Sequence, residues 1–178
     1  MFKTGSKTGR LFFAVVPAKE QRQKLFQLAK SFRIDSGEKV TAVDMMHMTL
    51  RYIGPVDQAT RQCLIKEASQ IQVSSFKLGL NITDYWKKPQ VTWVGADQLD
   101  DNLVQLVNAL ENLCQECGVT AETRPYVPHI TLLRKSTRHT TGSLSKEIIC
   151  PVEHFVLIES TSTSDGVKYQ IVDDWLLL

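Results

Sequence analysis

Apolar residues along the chain switch between distinct arrangements, and the switches mark out its elements. Leu11 to Val16 is an unbroken β-branched and aromatic run between Gly9 and Pro17, the pattern of a strand covered on both faces. Leu25, Leu28, Ala29 and Phe32 then recur at helical spacing and stop before Ser36-Gly37, predicting a helix that starts at Pro17 or Ala18. Val40 to Val43 reads as extended, and Met46 to Ile53 as a strand closed by Gly54-Pro55. Asp57 caps a second helix that turns Leu64, Ile65, Ala68 and Ile71 inward. Phe76 to Thr83 alternates apolar with polar and forms a hairpin with Val91 to Gly95 across Lys87-Lys88-Pro89. Asp100 or Asp101 opens a third helix, striped by Leu103, Leu106, Val107, Leu110, Leu113, Cys114 and Cys117 and ended by Gly118. Ile130 to Leu133 is a further short strand. Ser136 to Ser145 is polar and predicted to be a mobile surface loop, and Val152–Thr161 with Val167–Val172 closes the chain as a hairpin about Ser164-Asp165-Gly166. Helices mixed with largely antiparallel strands make the class α+β, and the length makes a single domain over 1–178, with 1–9 a frayed terminus.

A duplication runs through this pattern. His47-Met48-Thr49-Leu50 returns as His129-Ile130-Thr131-Leu132, and Val40-Thr41-Ala42, seven residues before the first histidine, returns as Val119-Thr120-Ala121, ten before the second. With 15 Thr and 19 Leu in the chain, two such matches among four histidines are roughly a one-in-a-thousand coincidence. In a strand, residues i and i+2 share a face, so each His stands beside its Thr while Met48, Leu50, Ile130 and Leu132 face the core. Two halves packed about an approximate two-fold axis would aim both pairs into one cleft.

Such a set suits a reaction in which one proton is removed and another delivered, because an imidazole holds either state near neutrality. The Thr hydroxyls are neutral donors suited to phosphate oxygens. Five residues beyond each His stand Tyr52 and Arg134. Arg134 is a candidate to stabilise phosphate charge, although strict alternation places it on the face opposite His129 and Thr131, so a bulge or strand end must turn it inward. Tyr52 is open to stacking on a base or to a core or rim role. His139 and His154 lack the Thr two residues on and read as unconnected to the site.

Composition narrows the alternatives. Lys and Arg number 21 against 19 Asp and Glu, a formal charge of +2, so any nucleic-acid contact is local and salt-sensitive. A non-catalytic RNA-end binder would draw on the scattered cations Arg51, Lys87, Lys88, Arg124, Arg134 and Arg138. The basic leader before Leu11 and the apolar run after it imitate a secretory signal, but that run has only six residues before Pro17, and no run suits a membrane span, so the expectation is a cytoplasmic protein. Gly5-Ser6-Lys7-Thr8-Gly9 lacks the strand and first glycine of a phosphate loop. Of Cys63, Cys114, Cys117 and Cys150, only Cys114 and Cys117 have ligand spacing, and both lie on an apolar stripe. They are expected to be small hydrophobes in a reducing compartment. A zinc site on His47 and His129 would need a third ligand that neither offset supplies, so neither metal nor cofactor is expected.

The two His-x-Thr runs, with Arg10-Leu11-Phe12-Phe13-Ala14-Val15, His47 to Gly54 and Pro128 to Arg134, resemble the 2H phosphoesterase superfamily. Within it they are similar to the bacterial RNA 2′,3′-cyclic phosphodiesterases, first described as 2′-5′ RNA ligases. Tyr52 and Ile53 stand where Phe and Leu are usual. The resemblance implies two pseudo-symmetric lobes of antiparallel sheet backed by helices, with the site between them. It further implies metal-independent opening of RNA 2′,3′-cyclic phosphate ends, tRNA fragments among them, to 2′-phosphates, and ATP-independent 2′-5′ joining. On that resemblance His129 activates water, His47 protonates the departing 3′ oxygen, and Thr49 and Thr131 hold the phosphate with help from Arg134. Nothing in the sequence suggests an obligate partner, so a monomer is expected. A small cyclic phosphate or a cyclic nucleotide is the alternative substrate.

Overall fold

The computed structural model describes residues 9–137, 140–164 and 166–178. Its elements in chain order are β1 (Arg10–Val15), α1 (Lys19–Phe32), β2 (Lys39–Val40), a short 3₁₀ turn (Val43–Met45), β3 (Met48–Gly54), α2 (Gln58–Ala68), β4 (Phe76–Trp86), β5 (Val91–Gly95), α3 (Asp101–Glu116), β6 (His129–Arg134), β7 (Gly142–Val152), β8 (His154–Thr163) and β9 (Gly166–Leu176). All strand pairs are antiparallel, and the class is α+β as expected.

The strands follow the order β7-β4-β5-β6-β3-β1-β8-β9, with β2 added on β6. Each half repeats one plan: a His-x-Thr strand, a hydrophobic partner, then a hairpin-joined outer pair or edge. The halves meet where β6 and β3 pair at Met48 and Ile130, so the two expected lobes are joined as one sheet. β1 and β8 alternate cleanly. Leu11, Phe13, Phe155 and Leu157 face a core shared with Leu25 of α1, Leu64 of α2 and Leu106 of α3, whereas Phe12, Ala14, Val156 and Ile158 make a small cluster on the opposite face. The helices thus cover one face and leave the other for the site.

Helix ends follow the residues that signalled them. Asp57 accepts from the Thr60 N–H and Asp100 from the Asn102 N–H. Gly118 ends α3 at φ +81°, where a side chain would be strained, and its N–H and that of Val119 satisfy the carbonyls of Gln115 and Cys114.

Two expectations are corrected. The polar stretch Ser136 to Ser145 is not all loop: β7 begins at Gly142 and forms an edge strand along β4. It escaped notice because, of its eleven residues, only Cys150 and Val152 are buried, so it lacks a period-two apolar pattern. The cysteines are not all thiols either. Cys117, at the C-cap of α3, forms a disulfide with Cys63 on α2. Their separation of 54 positions gave no spacing cue, and the packing of α2 on α3 brings their Cα atoms to 5.8 Å. The inference of a reducing compartment therefore loses its premise. Cys114 stays a buried thiol, its pKa pushed up to about 12 by burial. Among the described residues no helix is long and apolar enough to cross a membrane. The leader through Thr8, the middle of the Ser164-Asp165-Gly166 turn, Arg138 and His139 lie outside the described residues.

Candidate active site

Antiparallel register about the Met48–Ile130 pair sets His47 across from Thr131 and Thr49 across from His129. Met48 and Ile130 point into the helix-covered core at 0% and 1% exposure, which fixes the backbone that presents the four polar groups on the other face.

Both motif strands bulge at the same place. Along β1 the partners pass from Thr49 to Arg51 and skip Leu50; along β5 they pass from Thr131 to Leu133 and skip Leu132. Two successive residues then face the core, Leu50 and Arg51 in one half and Leu132 and Leu133 in the other, and the next residue returns to the histidine face. The alternation problem at Arg134 is resolved in this way: Arg134 lines one recess with His47 and Thr49, and its charge acts on both imidazoles. Tyr52 emerges at the equivalent point and is exposed.

The imidazoles are held alike. Nδ1 of His47 donates to the Met45 carbonyl and Nδ1 of His129 to the Val127 carbonyl, each at 2.8 Å. A carbonyl only accepts, so Nδ1 carries a hydrogen in each ring and Nε2 is the atom left to exchange a proton. Aromatic rings wedge both. Phe12 and Tyr169 lie 5.0 and 5.2 Å from His47, centroid to centroid, and Trp86 and Trp93 lie 4.5 and 5.9 Å from His129. This burial is the main cause that lowers both imidazole pKa values. The positive charge of Arg134, and for His47 that of His129, lowers them further, against the opposing effect of the carbonyl bonds.

Two adjoining recesses flank the pairs and share Thr49 and Tyr52: one of about 720 Å³ lined by His129 and one of about 600 Å³ lined by His47. Tyr126, in the wall beside His129, donates its hydroxyl to the Thr49 carbonyl at 3.3 Å and so ties the approach of one motif to the strand of the other.

The same cross-bracing explains the repeated Val-Thr-Ala. The Thr41 N–H, on the way to His47, donates to the Leu132 carbonyl at 2.9 Å, and Thr120, on the way to His129, accepts from Arg51 Nη2 at 2.6 Å. Each lead-in is docked on the bulge of the other motif's strand. Arg51 is therefore not the RNA-facing cation it resembled in sequence. It is 7% exposed and donates to the Glu111 carboxylate and the Tyr52 carbonyl, and Glu111 in turn accepts from the Glu122 N–H. Periodicity gave no sign of Glu111, nor of Gly95. A Cβ at Gly95 would collide with the Pro128 carbonyl and the Trp93 ring, so glycine there lets β5 run close beside His129. Glu38, also unmarked in sequence, is buried and accepts from Ser136 Oγ and the N–H groups of Ile34, Asp35 and Thr137, pinning the chain just beyond Arg134.

Comparison with known proteins agrees with this architecture. The chain is 34% identical over 97% of its length to an RNA 2′,3′-cyclic phosphodiesterase of Escherichia coli strain K12, of which it covers 98%, and 24% identical over 93% of its length to one of Methanocaldococcus jannaschii, of which it covers 99%. The crystal structure of E. coli LigT complexed with 3′-AMP superposes with a TM-score of 0.88 at 29% identity, covering 96% of this chain and 98% of that one. Residues 17–162 match the model of one family, and the chain belongs to it: the 2′-5′ RNA ligase superfamily.

Proposed function

We propose that this protein opens RNA ends bearing a 2′,3′-cyclic phosphate to 2′-phosphomonoesters by paired-imidazole acid–base catalysis, without metal or other cofactor. The observation that carries the proposal is the pair of imidazoles on adjacent strands, each with Nδ1 committed to a carbonyl and Nε2 left for proton transfer. The activity named for the relatives in E. coli and M. jannaschii supports it, as does the nucleotide bound in the LigT structure.

In this mechanism His129 Nε2 takes a proton from water as its oxygen bonds to phosphorus. The P–O3′ bond breaks, and O3′ receives the proton held on His47 Nε2. The net change adds one water and leaves the phosphate on O2′. Thr49 and Thr131 donate to the non-bridging oxygens, and Arg134 stabilises the charge that grows on them in the pentacoordinate transition state. With both imidazole pKa values lowered, the base is neutral near pH 7, and the anionic substrate favours the protonated acid once bound. A 5′-hydroxyl in place of water gives the 2′-5′ joining reaction by the same proton transfers.

The test is an RNA with a terminal 2′,3′-cyclic phosphate, incubated with the protein and a chelator, and identification of the phosphomonoester formed. The expected product is the 2′-phosphate. A 3′-phosphate, a requirement for added metal, or an unchanged end would overturn the proposal.

A further inference from the structure

The two recesses differ in charge. Arg10, Lys39 and Arg134 line the one beside His47, and no carboxylate does. Among the described residues none of the three forms an ion pair. In the recess beside His129 the cations are mostly matched, Arg51 by Glu111 and Arg124 by Glu122. The cluster by His47 is built by the sheet: β2 sets Lys39 directly opposite Arg134 on β6, and Arg10 begins β1 and donates from Nη2 to Ser162 Oγ at 3.1 Å. In the same wall Thr41 Oγ1 is buried and without a partner. Three like charges repel one another, and a buried hydroxyl without a partner is costly. A multivalent oxyanion relieves the repulsion.

We propose that this recess holds a second phosphate of the substrate, the one on the 5′ carbon of the nucleotide whose cyclic phosphate reacts. The inference rests on the reaction proposed above and specifies its substrate: a phosphorylated or oligonucleotide end rather than a bare nucleoside cyclic phosphate. In a nucleoside 2′,3′-cyclic phosphate the 5′ carbon is the ribose position from which an RNA chain continues. The first anion beyond the reacting one therefore lies a ribose away, and Arg134, which acts on both imidazoles, leads on to Lys39 and Arg10. The same arrangement sets the direction of the reaction. C3′ is bonded to C4′, which bears the 5′ carbon, whereas C2′ is one carbon farther away, so a ribose whose 5′ phosphate sits beside His47 turns O3′ rather than O2′ towards His47 and leaves the water side to His129.

Two ratios test this. One is kcat/KM for adenosine 2′,3′-cyclic phosphate with a 5′-phosphate over that without. The other, which needs no turnover, is the calorimetric Kd of adenosine 2′-phosphate over that of adenosine 2′,5′-bisphosphate. Each should favour the 5′-phosphorylated compound about tenfold at low salt and less as salt rises. In an Arg10→Gln/Lys39→Gln variant, altered only at exposed side chains, both ratios should fall to near one, while Lys88→Gln should leave them as in the wild type. Ratios near one in the wild type, or ratios that survive in the double variant, would overturn the inference. A Kd ratio that behaves as expected in a protein that hydrolyses neither compound would retain the second-phosphate site and defeat the proposed reaction; hydrolysis with both ratios near one would do the reverse.

Discussion

The half of the molecule that carries His47 and the half that carries His129 share the parts that place an imidazole and differ in the parts that surround it. Both have a His-x-Thr strand, a bulge one residue beyond the Thr, an Nδ1 bond to the carbonyl two residues back, and a lead-in braced on the opposite strand. Yet the residue after the bulge pair is Tyr52 in one and Arg134 in the other, and the second buried bulge residue is the ion-paired Arg51 in one and Leu133 in the other. Backbone geometry is thus symmetric where the proposed proton transfers would need two equivalent nitrogens. Charge is asymmetric where, on the same proposal, the two ends of the substrate would be told apart.

The largest effect should come from the shared parts. His47→Ala and His129→Ala are each expected to lower the turnover of a cyclic-phosphate substrate by roughly 10²-fold or more. The two losses should not multiply. Removing either nitrogen leaves the other proton transfer without its complement, so the double variant should be nearly as active as the worse single one. Rates that multiplied across the double variant would mean that the histidines act in separate steps. Near-normal turnover by either single variant would remove it from the chemistry altogether.

The unlike second bulge residues come next. Arg51→Met leaves the Glu111 carboxylate without its cation, with only neutral donors such as the Glu122 N–H, and takes the Arg51 donor from the Thr120 carbonyl, and should cost about 3 kcal/mol in urea unfolding. Leu133→Met, at the equivalent point, is close to volume-conserving and should cost under about 1.5 kcal/mol. Adding Glu111→Met to Arg51→Met removes the abandoned charge and should restore much of the stability. Turnover should be low in both variants, because the approach to His129 has lost its bond at Thr120 and keeps only weaker support from the Tyr126 hydroxyl on the Thr49 carbonyl of β3. If turnover recovered together with stability, the cross-brace would be a folding feature and not a positioning one.

How much of this could be read from the sequence depended on whether the signal was local. The His-x-Thr repeat and the caps at Asp57, Asp100 and Gly118 are short-range patterns with one physical outcome, and they lie where expected. A bulge or a strand end could be demanded from the sequence, because strict alternation keeps Arg134 off the histidine face, but the matching bulge at Leu50 and the burial of Arg51 could not. An arginine in an otherwise apolar strand looks like a surface cation until its partner is known, and that partner is 60 residues away on a helix. The Cys63–Cys117 disulfide and the Glu38 bonds to Ser136 and Thr137 were hidden for the same reason. β7 was hidden differently, since an edge strand exposed over most of its length carries no periodic apolar mark.

The residues that emerge after the bulges offer the finest test. Arg134→Ala should lower kcat/KM about 30-fold through lost phosphate stabilisation, and Tyr52→Ala only a few-fold, since a neutral ring stabilises no charge. The pH dependence should separate them more sharply. The proposed mechanism needs one imidazole protonated and the other neutral, a state most populated between their two pKa values. Burial and the Arg134 charge lower both from 6.5, so the kcat/KM optimum of the wild type should lie below that pH and fall away on either side, while the cyclic diester keeps one negative charge throughout. Removing the Arg134 cation makes protonation of both rings easier, which raises both pKa values and should carry the optimum towards higher pH; Tyr52→Ala should leave it in place. An Arg134→Ala optimum that did not move, or that moved to lower pH, would mean that the guanidinium does not act on the imidazoles in solution, and the electrostatic difference between the halves would then lie with Lys39 and Arg10 instead.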